Sequence, residues 1–277
     1  MFIPLRSTVR FSLIGILLLA SASTAAQTLP RWEIGGGLFG VHLPYYRGAA
    51  KSRNLFLPYP ILRVRGDKYS VDSRDSARRW FHLSDRMTLS MSLGWGLPVP
   101  KESTGARKDL DGLPPSLEFG PKLSIRLTRK GKHNLDLKLP LRFGVAADFS
   151  GVYYQGWLAS PYLYYLYQHW DGGRFRVGAA SGFRYSNQSF QNFYYGVPDV
   201  YQASGGYGGW WNSLAMYKQV GNFELTLYVR YDFMEGATFA DSPLVETRRY
   251  LAGGAILTWW FLRSKVMVHV DQRDTDG

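Results

Sequence analysis

The feature that most constrains this chain is an alternation of apolar and polar residues, sustained over segments longer than an ordinary sheet uses. Phe223, Leu225, Leu227, Val229, Tyr231 and Phe233 share one face of an extended segment, and Glu224, Thr226, Tyr228, Arg230 and Asp232 share the other. Side chains on a strand point alternately to opposite faces, so such a segment is apolar on one side and charged on the other. The same period runs through Met87, Leu89, Met91, Leu93 and Trp95, through Leu117 to Leu127, through Leu135 to Val145, and through Phe175 to Phe183. These runs span about ten to thirteen residues, whereas globular strands average about five or six and a tilted membrane crossing takes about nine to eleven. A soluble β-sandwich would also alternate, with shorter strands and its apolar face inside. The pattern predicts an all-β fold, a transmembrane antiparallel up-and-down β-barrel with lipid outside.

Connections support the same reading. Tight hairpin signals stand at Arg65-Gly66-Asp67, Ser84-Asp85, Arg129-Lys130-Gly131, Asp171-Gly172-Gly173 and Gly221-Asn222. Longer polar or Gly/Pro-rich stretches cover 43–52, 97–115, 186–206 and 234–247. Outer-membrane barrels pair short turns on the periplasmic side with long loops outside, and the two classes alternate here. Strands are expected at 32–42, 53–65, 67–73, 77–83, 86–96, 116–128, 132–147, 153–168, 173–186, 207–219, 222–234 and 249–262. With both ends on the turn side the number must be even. Dividing 67–83 at a short turn over 73–76 gives about twelve strands, and ten is the alternative. Leu251, Gly253, Ala255, Leu257, Trp259 and Phe261 form the expected closing strand. The barrel is placed at 27–262, and residues 263–277 form a tail expected to be periplasmic and without regular structure. A closed barrel leaves no free edge, so a monomer is expected.

The first residues indicate the compartment. Arg6 and Arg10 precede the apolar run Phe11 to Ala20, which small residues follow to Ala26. This is the layout of a cleaved signal peptide over residues 1–26, and the apolar run is too short to span a bilayer. The expected address is the outer membrane of a Gram-negative cell. The 9 Trp, 19 Tyr and 16 Phe exceed what one core needs and suit the two membrane–water interfaces. The absence of cysteine excludes disulfides, thiolate metal sites and a lipoprotein anchor. The formal charge of +12 suggests polyanionic surroundings. Export argues against nucleic acid and for anionic lipid and lipopolysaccharide.

Candidate chemistry is sparse. An enzymatic barrel needs a base within reach of a nucleophile near one rim. Of His42, His82, His133, His169 and His269, only His42 falls near the predicted outer rim, and no spacing ties it to Asp72, Ser73, Asp75, Asp148 or Ser150. No two histidines share a metal-ligand spacing. No catalytic residue, metal or cofactor is expected. The polar faces are richer. Lys122, Arg126, Lys138, Arg142, Arg174, Arg176, Arg184 and Arg230 lie on them, with Glu118, Asp136, Glu224 and Asp232. They would either fill the lumen as an ion-pair network or line a cationic passage for small anions. The aromatic run from Tyr153 through Trp157 and Tyr167 to Trp170 reads as an interface girdle, with a carbohydrate-stacking platform as the alternative.

Several loop motifs carry a resemblance. Pro44-Tyr45-Tyr46-Arg47-Gly48 followed by Leu57-Pro58-Tyr59-Pro60, then Leu110-Asp111-Gly112-Leu113, Tyr194-Tyr195-Gly196-Val197 and Asp241-Ser242-Pro243-Leu244-Val245, stand in the order found in the MipA/OmpV family of outer-membrane β-barrels. The chain resembles that family over essentially its whole mature length, and departs from it in the tail after Phe261. The resemblance implies a non-enzymatic scaffold in cell-envelope maintenance that binds a lytic transglycosylase and a penicillin-binding murein synthase. The alternatives are a small porin-like channel with a cationic lumen and a lipid-modifying enzyme at the outer rim.

Overall fold

A strand in hydrocarbon needs a neighbour on each edge, because an unpaired backbone N–H or C=O there costs several kcal/mol. The chain meets this need around most of its ring by closing its sheet on itself. The computed structural model describes residues 27–65, 69–72, 76–79, 81–101, 105–148, 151–169 and 174–270. The predicted signal peptide 1–26, the predicted turn residues 66–68 and 171–173, the predicted rim residues Ser73, Asp75 and Ser150, Trp170 and residues 271–277 lie outside them.

The elements are β1 (Gln27–Pro30), β2 (Trp32–Pro44), β3 (Ser52–Arg65), β4 (Tyr69–Asp72), β5 (Ser76–Arg79), β6 (Phe81–Ser84), β7 (Met87–Gly96), β8 (Ser116–Lys130), β9 (His133–Asp148), β10 (Gly151–Ala159), β11 (Tyr162–His169), β12 (Phe175–Ser186), α1 (Gln188–Tyr195), β13 (Gly206–Val220), β14 (Phe223–Phe233), β15 (Arg249–Arg263) and β16 (Met267–Val270). The main sheet runs β5-β4-β3-β2-β15-β14-β13-β12-β10-β9-β8-β7-β6, and β11 lies between β12 and β9. Its two ends, β5 and β6, are consecutive in the chain, so the ring closes through a single strand. β10 and β11 are likewise two halves of one strand, interrupted at Ser160 and Pro161, where proline lacks an N–H. Counted that way, the described residues form twelve antiparallel strands, as parity requires. β15 pairs with β2 from Gly253↔His42 to Arg263↔Glu33, joining the last strand to the first.

One side of the wall is low. β4 meets β3 only over Arg63–Arg65, and β6 meets β7 only at Met87–Leu89. Among the described residues, 52–62 of β3 pair with β2 alone. Pro58 and Pro60 lie in that stretch, and the β2 ladder continues in register across both (Leu38↔Pro58, Gly36↔Pro60). Their missing N–H groups therefore fall on the unpaired edge, the position a strand proline tolerates.

The two faces differ as the alternation demands. Leu225, Leu227, Leu257, Trp259 and Phe261 are exposed on the outside, whereas Glu224, Asp232 and Thr258 are fully buried inside. The long connections do not trail into solvent. Tyr46, Val99, Leu113, Tyr195, Met234, Phe239 and Leu244 form one buried cluster drawn from four loops. At the opposite end the chain forms a second, two-stranded sheet: β16 pairs with β1 from Gln27↔Val270 to Pro30↔Met267. The first part of the tail is thus a strand, contrary to the expectation of no regular structure. The Arg31 N–H donates to the Val266 carbonyl at 2.9 Å and continues the pairing below the barrel rim.

Candidate functional site

The interior of the barrel holds two ion-pair centres, one beneath the apolar loop end and one toward the turn end. At the loop end, β14 presents Asp232 inward. Its Oδ1 accepts from Arg47 Nε at 3.1 Å and its Oδ2 from Arg230 Nε at 2.5 Å. Arg47 reaches in from the β2–β3 loop and also donates to the Gly208 carbonyl at 2.9 Å. Burial alone would lower the pKa of the Arg47 guanidinium, but the facing Asp232 carboxylate outweighs it and holds the group above its ordinary range. Arg230 lies 4.3 Å above the Trp211 ring. Across the lumen, Arg142 NH1 donates to Glu118 Oε2 at 3.2 Å and Arg142 Nε to Ser92 Oγ at 2.8 Å. Gly94 makes room for this pair. A Cβ there would come within 2.8 Å of both the guanidinium and the carboxylate.

The second centre lies toward the turn end. Glu33 binds Arg65 at 2.7 Å, Arg263 at 3.1 Å and Arg63 at 3.4 Å. Arg63 also reaches Glu224 at 3.7 Å and stacks 4.5 Å over Trp260. Glu224 accepts from Tyr217 OH at 2.8 Å and Trp260 Nε1 at 3.2 Å. Arg176 covers the Tyr217 ring at 3.9 Å.

The charges read from the sequence are placed as follows. Glu118, Lys122, Lys138, Glu224 and Asp232 are buried. Arg126 faces Asp136 in the β8–β9 register. Lys138 lies 4.2 Å over the Tyr164 ring. Arg142, Arg176 and Arg230 make the contacts above, Arg174 lies half-buried immediately before β12, and Arg184 is half-buried on β12. The same alternation could have found Arg63 and Arg65, which interleave with Leu62 and Val64, and Glu33, their cross-strand neighbour. Arg47 had no periodic signal, because it stands in a loop.

Two aromatic expectations divide. Trp157 and Tyr165 are exposed on the outer face, as a girdle requires. Tyr162 and Tyr164 turn inward instead, Tyr162 against Trp211 at 5.3 Å, because strand alternation sends neighbouring aromatics to opposite faces. His42 is exposed and bonds Asn54 at 2.8 Å. Among the described residues no serine or carboxylate bonds to it.

The loop end is filled by α1 and its neighbours. Asn187 caps the helix, its Oδ1 accepting from Phe190 N at 3.2 Å and from Trp157 N at 3.0 Å. Tyr194 OH lies 3.4 Å from Ser116 Oγ on β8, and Gln191 Nε2 donates to the Gly206 carbonyl at 3.0 Å. The helix therefore touches two separate parts of the wall, β8 and the start of β13. The Tyr195 ring stacks on Phe239 at 3.7 Å and 4°. Tyr46 OH donates to the Leu244 carbonyl at 2.8 Å, and Ser242 Oγ to the Tyr195 carbonyl at 2.6 Å. The motif residues of the sequence, Tyr46, Arg47, Tyr194, Tyr195, Ser242 and Leu244, meet in this plug.

That convergence agrees with a comparison of families. The family model for MltA-interacting protein MipA matches residues 34–261. The chain belongs to the MipA family. The match starts within β2 and ends at Phe261, so it spans the barrel and leaves out the β1–β16 pair. No curated protein matches the sequence. Among solved structures the MipA-family barrel is similar to a bacterial polysaccharide outer membrane secretin, at 8% identity and TM-score 0.42, over 83% of this chain and 99% of that one. It is also similar to the NanC porin, at 11% identity and TM-score 0.34 over 83% and 99%, and to the CymD monoaromatic hydrocarbon channel, at 10% and 0.32 over 84% and 89%. The outer-membrane barrel fold stands on the strand pairing itself, and these likenesses say nothing of function.

Proposed function

We propose that this barrel is a non-enzymatic scaffold of the cell envelope. A signal peptide delivers it to the outer membrane, the apolar outer face contacts lipid and lipopolysaccharide, and the short-turn end holds a lytic transglycosylase, with a penicillin-binding murein synthase as a further partner. The observation that carries this reading is the filled loop end. Four loops bury a shared apolar core there, and the lumen beneath is crossed by ion pairs, which suits a rigid body better than a conduit. The family description, MltA-interacting protein, supplies the first partner. The β1–β16 ribbon at the turn end supports it, because a two-stranded ribbon offers edges to which an extended partner segment can add.

Pulldown with the full chain from detergent extracts is the test. The expected result is enrichment of a lytic transglycosylase, weakened when residues 264–277 are removed. No enrichment of any murein enzyme overturns the reading. Planar-bilayer recording separates it from the anion-passage alternative: a scaffold gives no steady conductance, and a steady anion-selective current favours the passage.

A further inference from the structure

Most interior arginines of the barrel face a carboxylate or an aromatic ring. Arg184 is different. Among the described residues its side chain makes no hydrogen bond or ion pair, and its Nε is buried without an acceptor. The charged groups that act most on it are Arg47, Arg230 and Asp232, with the uncharged Tyr250 hydroxyl beside them. Asp232 is already engaged by Arg47 and Arg230 through both its oxygens. Three guanidinium groups thus surround one carboxylate. Glu118 does not make up the difference, because it is paired with Arg142.

Arg184 and Arg47 line a cavity of about 60 Å³, with Gln191, Tyr194 and Tyr195 beside them and the Glu118 carboxylate, held by Arg142, also on its wall. An unpaired charge largely withdrawn from water is costly, and a part-enclosed surplus of positive charge favours a counter-ion. A guanidinium presents its N–H groups as a planar fork that matches the paired oxygens of a carboxylate or a phosphate. The size restricts the choice. The cavity has room for roughly four to six water-sized groups, so acetate or phosphate fits and an acidic sugar does not. Burial pushes the Tyr195 hydroxyl pKa up, so that group stays protonated and can donate.

We propose that this cavity is a binding site for a small oxyanion, a carboxylate or a phosphate, gripped by the Arg184 guanidinium with Arg47 beside it. The anion completes the charge balance under the loop plug and ties β12 to the β2–β3 loop. The site does not depend on the scaffold reading, and a failed pulldown leaves it standing.

The test uses the full chain refolded into neutral-lipid vesicles at fixed ionic strength. Sodium phosphate and sodium acetate are each titrated against sodium chloride, and the urea midpoint of unfolding is read. A ligand that binds only the folded state raises that midpoint with its concentration relative to its Kd. The expected result is a rise with at least one oxyanion over chloride, with affinity reduced at least tenfold in Arg184→Gln. Arg248→Gln, which removes an exposed arginine bonded to Asp241, should leave the response intact. Arg184→Lys keeps the charge without the fork and should retain a weakened response. No oxyanion-specific rise in the unaltered protein overturns the proposal, whether or not any variant folds. So does an undiminished rise in Arg184→Gln.

Discussion

Arg47, in the loop after the first barrel strand, donates through Nε to Oδ1 of Asp232, on the next-to-last strand, at 3.1 Å. The pair pins a loop to the inner wall across β15, which lies between those strands in the sheet. Asp232 is also the carboxylate on which Arg230 rests. Its removal therefore leaves two part-buried guanidinium groups uncompensated, which is worse than losing one contact. Asp232→Asn is expected to cost about 3–5 kcal/mol, as breaking one side of a buried pair does. Arg47→Gln should cost less, since Asp232 keeps Arg230. Urea unfolding in vesicles checks the order; equal costs would mean that Asp232 does not serve both arginines.

Glu224 offers a second, independent measurement near the turn end. It is fully buried and accepts from Tyr217 OH and Trp260 Nε1 while facing Arg63. Tyr217→Phe removes one hydrogen bond to a charged acceptor, and the expected loss is about 1.5–3 kcal/mol. The same change also weakens the support that the Arg176 guanidinium finds on that ring. Unfolding of Tyr217→Phe, Arg176→Gln and the double variant reads the coupling. Strict additivity would show that the two contacts are separate.

The stacked pair Tyr195 and Phe239 holds the plug together. Phe239→Ala opens a hole in a site where the phenyl ring is almost wholly buried, and truncations of this kind cost about 3–5 kcal/mol. The strand ladders do not depend on this ring. The expected outcome is a barrel that still folds, with faster proteolytic cleavage in 187–205 and 234–248. Unchanged cleavage would mean that the loops hold their places without the stack.

How far these features could be read in advance follows from what each depends on. Period two exposes a strand whose faces meet different solvents, so Phe223 to Phe233 and Leu251 to Phe261 were legible with their faces and their closing role. Parity made β4 and the β5–β6 strand legible despite their shortness. The lumen charges Glu118, Glu224 and Asp232 followed from the same alternation. Arg142 and Arg230, which pair with Glu118 and Asp232, followed with them; Arg47 did not, because it belongs to a loop and a loop has no period. α1 was also missed. Its only local mark is the cap Asn187, and eight residues give too little periodicity to separate a helix from the loop around it. The tail strand β16 was hidden for a similar reason: four residues carry no countable alternation, and its partner β1 is at the other end of the chain.

Asn187 joins a local signal to a long-range one. Its Oδ1 accepts from Phe190 N within its own helix and from Trp157 N on β10. The second contact is possible because Gly156, at φ +119°, brings the β10 backbone against it, where a Cβ would meet Oδ1 at 2.1 Å. Loss of an N-cap side chain costs about 0.5–2 kcal/mol. Asn187→Ala should reach the upper end of that range, because it orphans two donors. Gly156→Ala should be at least as harmful, through backbone strain and the clash together. If Asn187→Ala costs no more than an ordinary cap, the bond to Trp157 contributes nothing.

The outer face is tested by charge. Leu257 and Leu225 are cross-strand partners, both exposed, and Leu257 stands near the middle of β15. An arginine on the lipid face near the midplane of a barrel costs about 2–4 kcal/mol, falling to about 0–1 near the interfaces. Leu257→Arg is therefore expected to lose about 2–4 kcal/mol in vesicles. Leu251→Arg, six residues closer to the loop end on the same face, should lose less. The depth dependence is the decisive part, since a soluble sheet would accept a charge on a solvent-facing strand equally well at either place. Similar small costs at both positions would place the Leu257 face in water and remove the membrane from the account of this barrel.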